Sequence, residues 1–239
     1  MPDTDTYLAA IERDSARIAE LVERAPDAVV PGCDGWTLTD LAAHLGGVYR
    51  FVARLVEERI DGPPTSGFPS GPDGDGLAWF REASGIVLAQ LRATPPDTPM
   101  WTWTERNDAG FYHRRQAHES LVHRLDAEGA VGEFTDVDDA LAVDAIREVL
   151  DVGYRYSLSR PDRSYPASTL HLHRTDGEGE WLLRGVGDGF EVTEEHAKGD
   201  AAVRGKAVQL LLFLWGRGRD GCEVFGDETV ADAWAALAP

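Results

Sequence analysis

The hydrophobic pattern of the chain changes near its middle, and this change limits the folds that are open to it. From Thr4 to about Arg160 the apolar residues recur with helical spacing, and proline and glycine clusters interrupt them. From Ser168 onward, short alternating runs lie between glycine-containing turns. We therefore expect two domains, residues 1–160 and 161–239, with a boundary around Arg160-Pro161-Asp162. The predicted fold class is α+β, with an antiparallel bundle of four or five helices followed by a smaller α+β domain.

The first half of the sequence predicts helices at residues of about 4–25, 37–60, 77–93, 108–128 and 138–156. The second of these has the clearest start, because Thr37 and Asp40 have the spacing of a capping box. The glycine- and proline-rich stretch from Asp61 to Gly76 is typical of a loop. In the second half we expect strands at STLHLHRT, EWLLRGV, FEVTEE and CEVF, with helices at about 206–215 and 227–237.

The charge of the chain excludes several classes of partner. Its 23 Lys and Arg residues against 42 Asp and Glu give a formal net charge of −19. Such a surface repels nucleic acid and anionic membranes. The first twenty residues lack the basic start and apolar centre of a signal peptide, and no apolar run approaches the length of a membrane span. Cys33 and Cys222 match no metal or redox spacing. We therefore expect a cytoplasmic protein that binds neither nucleic acid nor membrane.

Histidines on the predicted helices are the first candidates for chemistry, because helical bundles build metal sites from inward-facing side chains. Glu119 and His123 are four residues apart, so both project from one face of the fourth helix. His44 lies at the edge of the apolar face of the second helix. His118 diverges from His123 around the helix, so we expect it to be a core histidine or a partner of a ligand.

Together, His44, Glu119 and His123 would supply two imidazoles and one carboxylate. Three protein ligands with an open fourth position are typical of catalytic zinc. The sequence therefore predicts a metal centre between the second and fourth helices. A hydrogen-bonded core cluster without metal remains the alternative, because Glu and His four apart also form ordinary surface pairs.

Other residues give weaker signals. Cys33 is expected to be a small buried residue rather than a nucleophile. His171 and His173 share a strand face, but no acid or cysteine at ligand spacing joins them, so we interpret them as surface or domain-interface residues. His113 and His196 show no pattern.

Two segments, PGCDGWTLTDLAAHLGG (31–47) and GFYHRRQAHESLVHRLDAE (110–128), resemble the signature helices of the mycothiol-dependent maleylpyruvate isomerase family. That family has a DinB-like helical bundle. The segments LHLHRTDGEGEWLL and HAKGDAAVRGKAVQLLLFLWGRG resemble its C-terminal domain, which is similar to sterol-carrier folds. The resemblance implies zinc on His44, Glu119 and His123, the set already chosen from the residues.

The resemblance also implies mycothiol as a thiol cofactor and an arginine of the C-terminal domain that binds substrate or thiol. We expect this arginine to be Arg204, with Arg217 and Arg184 as alternatives. The implied activity is cis–trans isomerisation of an unsaturated dioxo acid, in which the thiolate adds to the conjugated double bond and is expelled after rotation. The alternatives are a mycothiol S-transferase acting on another electrophile and a non-catalytic metal- or ligand-binding regulatory protein. The expected partners are therefore a small-molecule thiol and an electrophilic small molecule.

Overall fold

The computed structural model describes residues 1–71, 76–159, 163–187 and 189–239. The chain forms two compact units, one of residues 2–136 and the other of residues 137–239 together with Met1. The boundary expected at Arg160-Pro161-Asp162 and positions 72–75 of the expected loop lie outside the described residues. The two units divide before the fifth predicted helix, whereas the sequence pattern placed that helix in the first domain.

The first unit is a helical bundle. Its helices are α1 (Thr4–Arg24), α2 (Leu38–Glu58), α3 (Gly76–Ala93) and α4 (Ala109–Val131). Their positions confirm the first four helices predicted from the sequence. The helix α1 packs on α4, and α2 packs on α3. The apolar stripes between them are buried, and their fully buried members include Ile11, Ile18, Leu21, Leu41, Leu45, Leu55, Phe80 and Leu121. Burying these stripes is the main source of stability for helices of this length.

The predicted capping box is present at the start of α2. The side chain of Thr37 accepts a hydrogen bond from the backbone N–H of Asp40, and Asp40 accepts one from the backbone N–H of Thr37 at 2.8 Å. These bonds satisfy backbone donors that have no partner within the helix. The Thr37 hydroxyl also donates to the Asp40 carboxylate at 2.7 Å, and this bond, with the one from the Thr37 N–H, holds the pKa of Asp40 below its usual value. The first turn of the helix that carries His44 is thereby fixed.

Two glycines let other segments approach α2 closely. A Cβ on Gly47 would lie 2.6 Å from the carbonyl oxygen of Pro69, and one on Gly46 would lie 2.6 Å from Cδ1 of Trp79. The segment before α3 and the start of α3 therefore lie directly against the helix turn that follows His44.

The second unit begins with α5 (Asp139–Glu148), which continues through a π-helical turn (Val149–Gly153) into α6 (Tyr154–Leu158). The strands are β1 (Leu170–Arg174), β2 (Glu180–Val186), β3 (Gly189–Thr193), β4 (Ala201–Gly205) and β5 (Glu223–Gly226). The helices α7 (Ala207–Leu214) and α8 (Glu228–Ala235) complete the unit. The predicted α+β class is confirmed. The helix α5 packs against α7, which explains why it belongs to this unit and not to the bundle.

The strands form one mixed sheet with the order β3-β2-β1-β4-β5. The strands β1 and β4 are parallel, and the other neighbours are antiparallel. The strand β4 was not among those predicted from the sequence. On one face of β1, Leu170 and Leu172 are fully buried, and α7 and α8 both contact β1 and β4. His171 and His173 alternate with these leucines and so lie on the opposite face. Within the described residues, none of the helices has the length and apolar composition needed to cross a bilayer.

Candidate metal centre

The three predicted ligands come together in the first unit. The helix α2 carries His44, and α4 carries Glu119 and His123 one turn apart. One donor atom from each side chain lies within 4.8 Å of the donor atoms of the other two. Oε1 of Glu119 lies 3.3 Å from Nε2 of His123 and 3.9 Å from Nε2 of His44. Two imidazoles and one carboxylate oxygen therefore face a common point.

Asp126 orients His123. Its Oδ2 lies 3.1 Å from Nδ1 of His123, the ring nitrogen opposite the one that faces Glu119. A carboxylate in this position fixes the tautomer and rotation of a metal-ligating histidine. The ring of His123 is therefore held with Nε2 toward Glu119 and His44.

The two oxygens of Glu119 have different partners. Arg115, one turn earlier on α4, forms an ion pair with Oε2, while Oε1 faces the two histidines. The side chain of Glu119 is 9% exposed, so its charge is largely removed from water. A buried carboxylate needs such a cation to remain ionised. Arg115 thus leaves one oxygen available as a ligand.

The pKa values of the centre follow from this arrangement. Burial raises the pKa of Glu119, but the charge of Arg115 and the hydrogen bonds of His123 and His44 outweigh it and hold that pKa well below its usual value. Burial lowers the pKa of His123, but Asp126 and Glu119 outweigh it and raise the pKa to about 9. In the metal-free protein at neutral pH, Glu119 is therefore charged and His123 is protonated.

The centre is more exposed on the side of His44. The side chain of His44 is 34% exposed, whereas that of His123 is 5% exposed. The half-buried ring of Trp36 lies 4.9 Å from the His44 ring. A nitrogen- and oxygen-donor set with one side open to solvent fits a divalent transition ion such as zinc with three protein ligands.

Cys33 lies on the far side of His123. It is half-buried, its Sγ donates a hydrogen bond to Oδ2 of Asp126 at 3.7 Å, and it forms with His123 and Asp126 a second group of possible metal ligands. The expectation of a simple buried residue was therefore incomplete. No local pattern relates Cys33 to α4, because the contact depends on how the turn before α2 packs.

His113 and His118 are core histidines. His113 is buried, with both ring nitrogens hydrogen-bonded to the carbonyl oxygens of Ala109 and Leu91 at 2.9 Å. His118 is fully buried and packs edge-on against Tyr7.

The roles of Asp126 and Arg115 were not predicted from the sequence, although both residues had a local signal. Asp126 stands three residues after His123, and Arg115 stands four residues before Glu119, on the same helix. Helical spacing alone therefore places each of them beside a predicted ligand.

The three arginines considered from the sequence all belong to the second unit. Arg204 lies on β4 with its side chain 43% exposed, and its Nη1 is 3.8 Å from Oε2 of Glu223. Arg184 pairs in register with Glu191, and Arg217 donates to the carbonyl oxygen of Trp215 at 2.9 Å. Arg204 thus has a loosely held guanidinium group.

The fold and the His₂Glu group define a class of two-domain proteins in which a helical bundle precedes a small α+β domain. Residues 7–128 match the family model described as the mycothiol maleylpyruvate isomerase N-terminal domain, and residues 140–233 match that described as the MDMPI C-terminal domain. The chain belongs to the mycothiol-dependent maleylpyruvate isomerase family.

Solved structures agree with this assignment at the level of the fold. The chain is similar to the crystal structure of the mycothiol-dependent maleylpyruvate isomerase, with a TM-score of 0.68 and 15% identity over 93% of each chain. It is also similar to a histidine-to-alanine mutant of that isomerase, with a TM-score of 0.65 and 14% identity over 93% of each chain. A comparison with curated proteins finds no match.

Proposed function

We propose that this protein is a zinc-dependent enzyme that uses mycothiol to isomerise an unsaturated dioxo acid from cis to trans. The observation that carries the proposal is the convergence of His44, Glu119 and His123, with donor atoms within 4.8 Å of one another, in the N-terminal domain of this family. The two solved isomerase structures share the fold, and this likeness supports the reaction class.

In this proposal, His44, Glu119 and His123 hold the metal. Bound zinc would lower the pKa of a thiol so that it is ionised at neutral pH. Asp126 keeps Nε2 of His123 directed toward the metal position, and Arg115 neutralises the oxygen of Glu119 that does not serve as a ligand. The exposed side of His44 is where small molecules would enter.

The proposed role of Arg204 is to bind the carboxylate of the substrate. Its side chain is 43% exposed, and its contact with Glu223 is long, at 3.8 Å. The guanidinium also lies 5.8 Å from the centre of the Phe225 ring, and such a group can form two parallel hydrogen bonds to an incoming carboxylate. Arg204→Lys would keep the charge and remove the paired geometry, so we expect a higher KM for the acid.

The activity is tested with zinc-loaded protein, mycothiol and maleylpyruvate, by following the absorbance of the conjugated acid. We expect isomerisation that requires the thiol and that His44→Ala and His123→Ala abolish. Glu12→Gln is the matched control, because Glu12 is exposed on α1 and pairs with Arg92. A stable thioether product would instead assign an S-transferase. Binding of zinc and thiol without any product would assign a ligand-binding protein.

The metal assignment is tested separately with Glu119→Gln. We expect the zinc affinity of this centre to fall at least about tenfold, because the amide is a poorer ligand and Arg115 loses the carboxylate with which it pairs on α4. The melting temperature of the metal-free protein should change less, since the bundle is stabilised by its apolar stripes. The proposal would be contradicted if Glu119→Gln unfolded the metal-free protein as fully as it removed zinc. It would also be contradicted if wild-type protein carried no stoichiometric metal after gentle purification.

A further inference from the structure

A third group of possible metal ligands lies in the second unit. His171, His173, Glu180 and His196 each present one donor atom, and these atoms all lie within 4.8 Å of one another. The group shares no residue with the candidate metal centre. The interpretation of His171 and His173 as histidines without a ligand partner was therefore wrong on geometry, because Glu180 and His196 join them.

Strand pairing places three of the four side chains together. His171 and His173 are two residues apart on β1, so their side chains lie on one face of the sheet. Glu180 on β2 is directly opposite His173 in the antiparallel pair, and side chains of such pairs lie on the same face. The backbone alone thus brings two imidazoles and a carboxylate to one patch of the sheet.

The fourth side chain comes from a crossover. The strand β3 ends at Thr193 and β4 begins at Ala201, yet β2 and β1 lie between these strands in the sheet. Residues 194–200 must therefore pass over β2 and β1. This segment carries His196, whose ring lies 5.7 Å from the His171 ring. The crossover therefore runs over the face that carries the histidines.

Both ends of the crossover are anchored. Arg147 on α5 donates two hydrogen bonds to Glu194, each at 2.7 Å. Asp200 accepts a hydrogen bond from the backbone N–H of Thr169 at 2.7 Å, just before β1. Between these anchors His196 is held over Glu180, although its own side chain is 83% exposed.

Three ring nitrogens lie close to the carboxylate of Glu180. Nε2 of His171 lies 3.0 Å from Oε2, Nδ1 of His173 lies 3.1 Å from Oε1, and Nδ1 of His196 lies 2.6 Å from Oε2. Burial raises the pKa of Glu180, but the hydrogen bonds of His196 and His171 outweigh it, so the carboxylate is ionised at neutral pH. Three imidazole nitrogens thus meet at one carboxylate, and one donor atom of each side chain lies within 4.8 Å of the other three.

We propose that His171, His173, Glu180 and His196 form a second binding site for a divalent transition-metal ion. Three imidazole nitrogens with one carboxylate oxygen favour zinc and its neighbours over Ca²⁺ or Mg²⁺, which prefer all-oxygen ligands. Around zinc, tetrahedral donors lie roughly 3.3–3.6 Å apart. The observed separations, at most 4.8 Å, need shifts of about an ångström, which the exposed His196 can supply.

The site differs in kind from the candidate metal centre. Four protein ligands complete the coordination shell of a tetrahedral ion, whereas three leave one position open for substrate. A metal bound at this second site would join the crossover to β1 and β2 and so stabilise the connection to β4, the strand that carries Arg204. The site is therefore structural in character.

The test uses full-length His44→Ala protein, in which the candidate metal centre lacks a ligand, titrated with Zn²⁺ alone after removal of all metal. We expect one bound zinc per chain, measured by calorimetry and by elemental analysis after dialysis. Adding His171→Ala, Glu180→Gln or His196→Ala should weaken this binding at least tenfold. Glu191→Gln is the matched control, because Glu191 is an exposed acid on the neighbouring β3, and it should leave binding unchanged.

If His171→Ala or Glu180→Gln fails to fold, His196→Ala still tests the proposal, because it removes an exposed side chain. Melting curves of the metal-free variants check folding. The inference is overturned if the His44→Ala protein binds no zinc, or if its zinc is insensitive to all three substitutions. If the wild-type protein also binds only one zinc, and loses it with His171→Ala but not with His44→Ala, this site is supported and the candidate metal centre is not, so the two proposals fail separately.

Discussion

If the candidate metal centre binds zinc, Asp126 would act differently from the ligands, because it contacts the side of His123 that faces away from Glu119. We expect Asp126→Asn to lower zinc affinity by roughly 10- to 100-fold through loss of charge behind the ring. Competition with a coloured chelator measures this affinity. Asp27→Asn, at an exposed position before α2, is the control, and equal affinities of the two variants would contradict the role proposed for Asp126.

Asp40 makes the contribution of the α2 N-terminus to the free energy of unfolding depend on pH. The side-chain and backbone hydrogen bonds from Thr37 lower its folded-state pKa. Its contribution to the free energy of unfolding is therefore complete above its unfolded value of about 4 and is lost as the pH falls through the lowered value.

Asp40→Asn should therefore destabilise the protein near neutral pH and cost progressively less below about pH 4. Urea unfolding at a series of pH values measures the difference between the two proteins. Thr37→Ala, which removes the other half of the capping box, should cost about 1 kcal/mol near neutral pH. A cost of Asp40→Asn that grows on acidification would contradict the expected sign.

The ligands of the candidate metal centre could be chosen from the sequence, because helical periodicity fixes which residues share a face. Glu119 and His123 are four apart on one helix, and His44 follows a clear capping box. The group of His171, His173, Glu180 and His196 could not be recognised in this way. Glu180 and His196 meet only because the chain crosses two strands between β3 and β4, and that path depends on the strand order of the whole sheet.

At the scale of elements, the glycines of α2 and α3 make a matched pair. A Cβ on Gly47 would lie 2.6 Å from the carbonyl oxygen of Pro69, whereas one on Gly85 in α3 would meet nothing within 4 Å. Gly47→Ala should destabilise the protein by about 1–3 kcal/mol, because backbone must move. Gly85→Ala should stabilise it by about 0.5–1 kcal/mol by reducing the freedom of the unfolded chain.

Chemical denaturation of both glycine variants measures these opposite effects. Because Gly47 lies one turn after His44, Gly47→Ala should also weaken zinc binding, while Gly85→Ala should not. A stabilising effect of Gly47→Ala would show that the close approach to Pro69 is absent in solution.

The elements that sequence reasoning missed are those with little local signal. The strand β4 has the sequence AAVRG, in which small residues replace the β-branched and aromatic residues typical of strands. It forms because β1 on one side and β5 on the other supply backbone partners. The helix α5 had a clear helical pattern, but periodicity does not say which unit a helix packs on.

At the scale of the whole molecule, repulsion between like charges lowers the thermal stability of the protein. Its 42 acidic and 23 basic residues give a net charge of −19, so repulsion among the acidic groups opposes folding while surface ion pairs favour it. Added salt screens both, so we expect the melting temperature to rise by several degrees between about 20 mM and about 500 mM NaCl. Choline chloride should give the same rise if screening is the cause. A fall in melting temperature would mean that ion pairs contribute more than repulsion costs.

The pairing of Arg115 with Glu119 has an electrostatic consequence for this acidic chain. Arg115 cancels one of the two carboxylates at the candidate metal centre, so a divalent ion there would be only partly neutralised by the other, Asp126. With the ion bound, the centre would then be a small region of positive electrostatic potential in a molecule of net charge −19. A negatively charged small molecule would then be attracted toward the exposed side of the centre beside His44 before any specific contact is made.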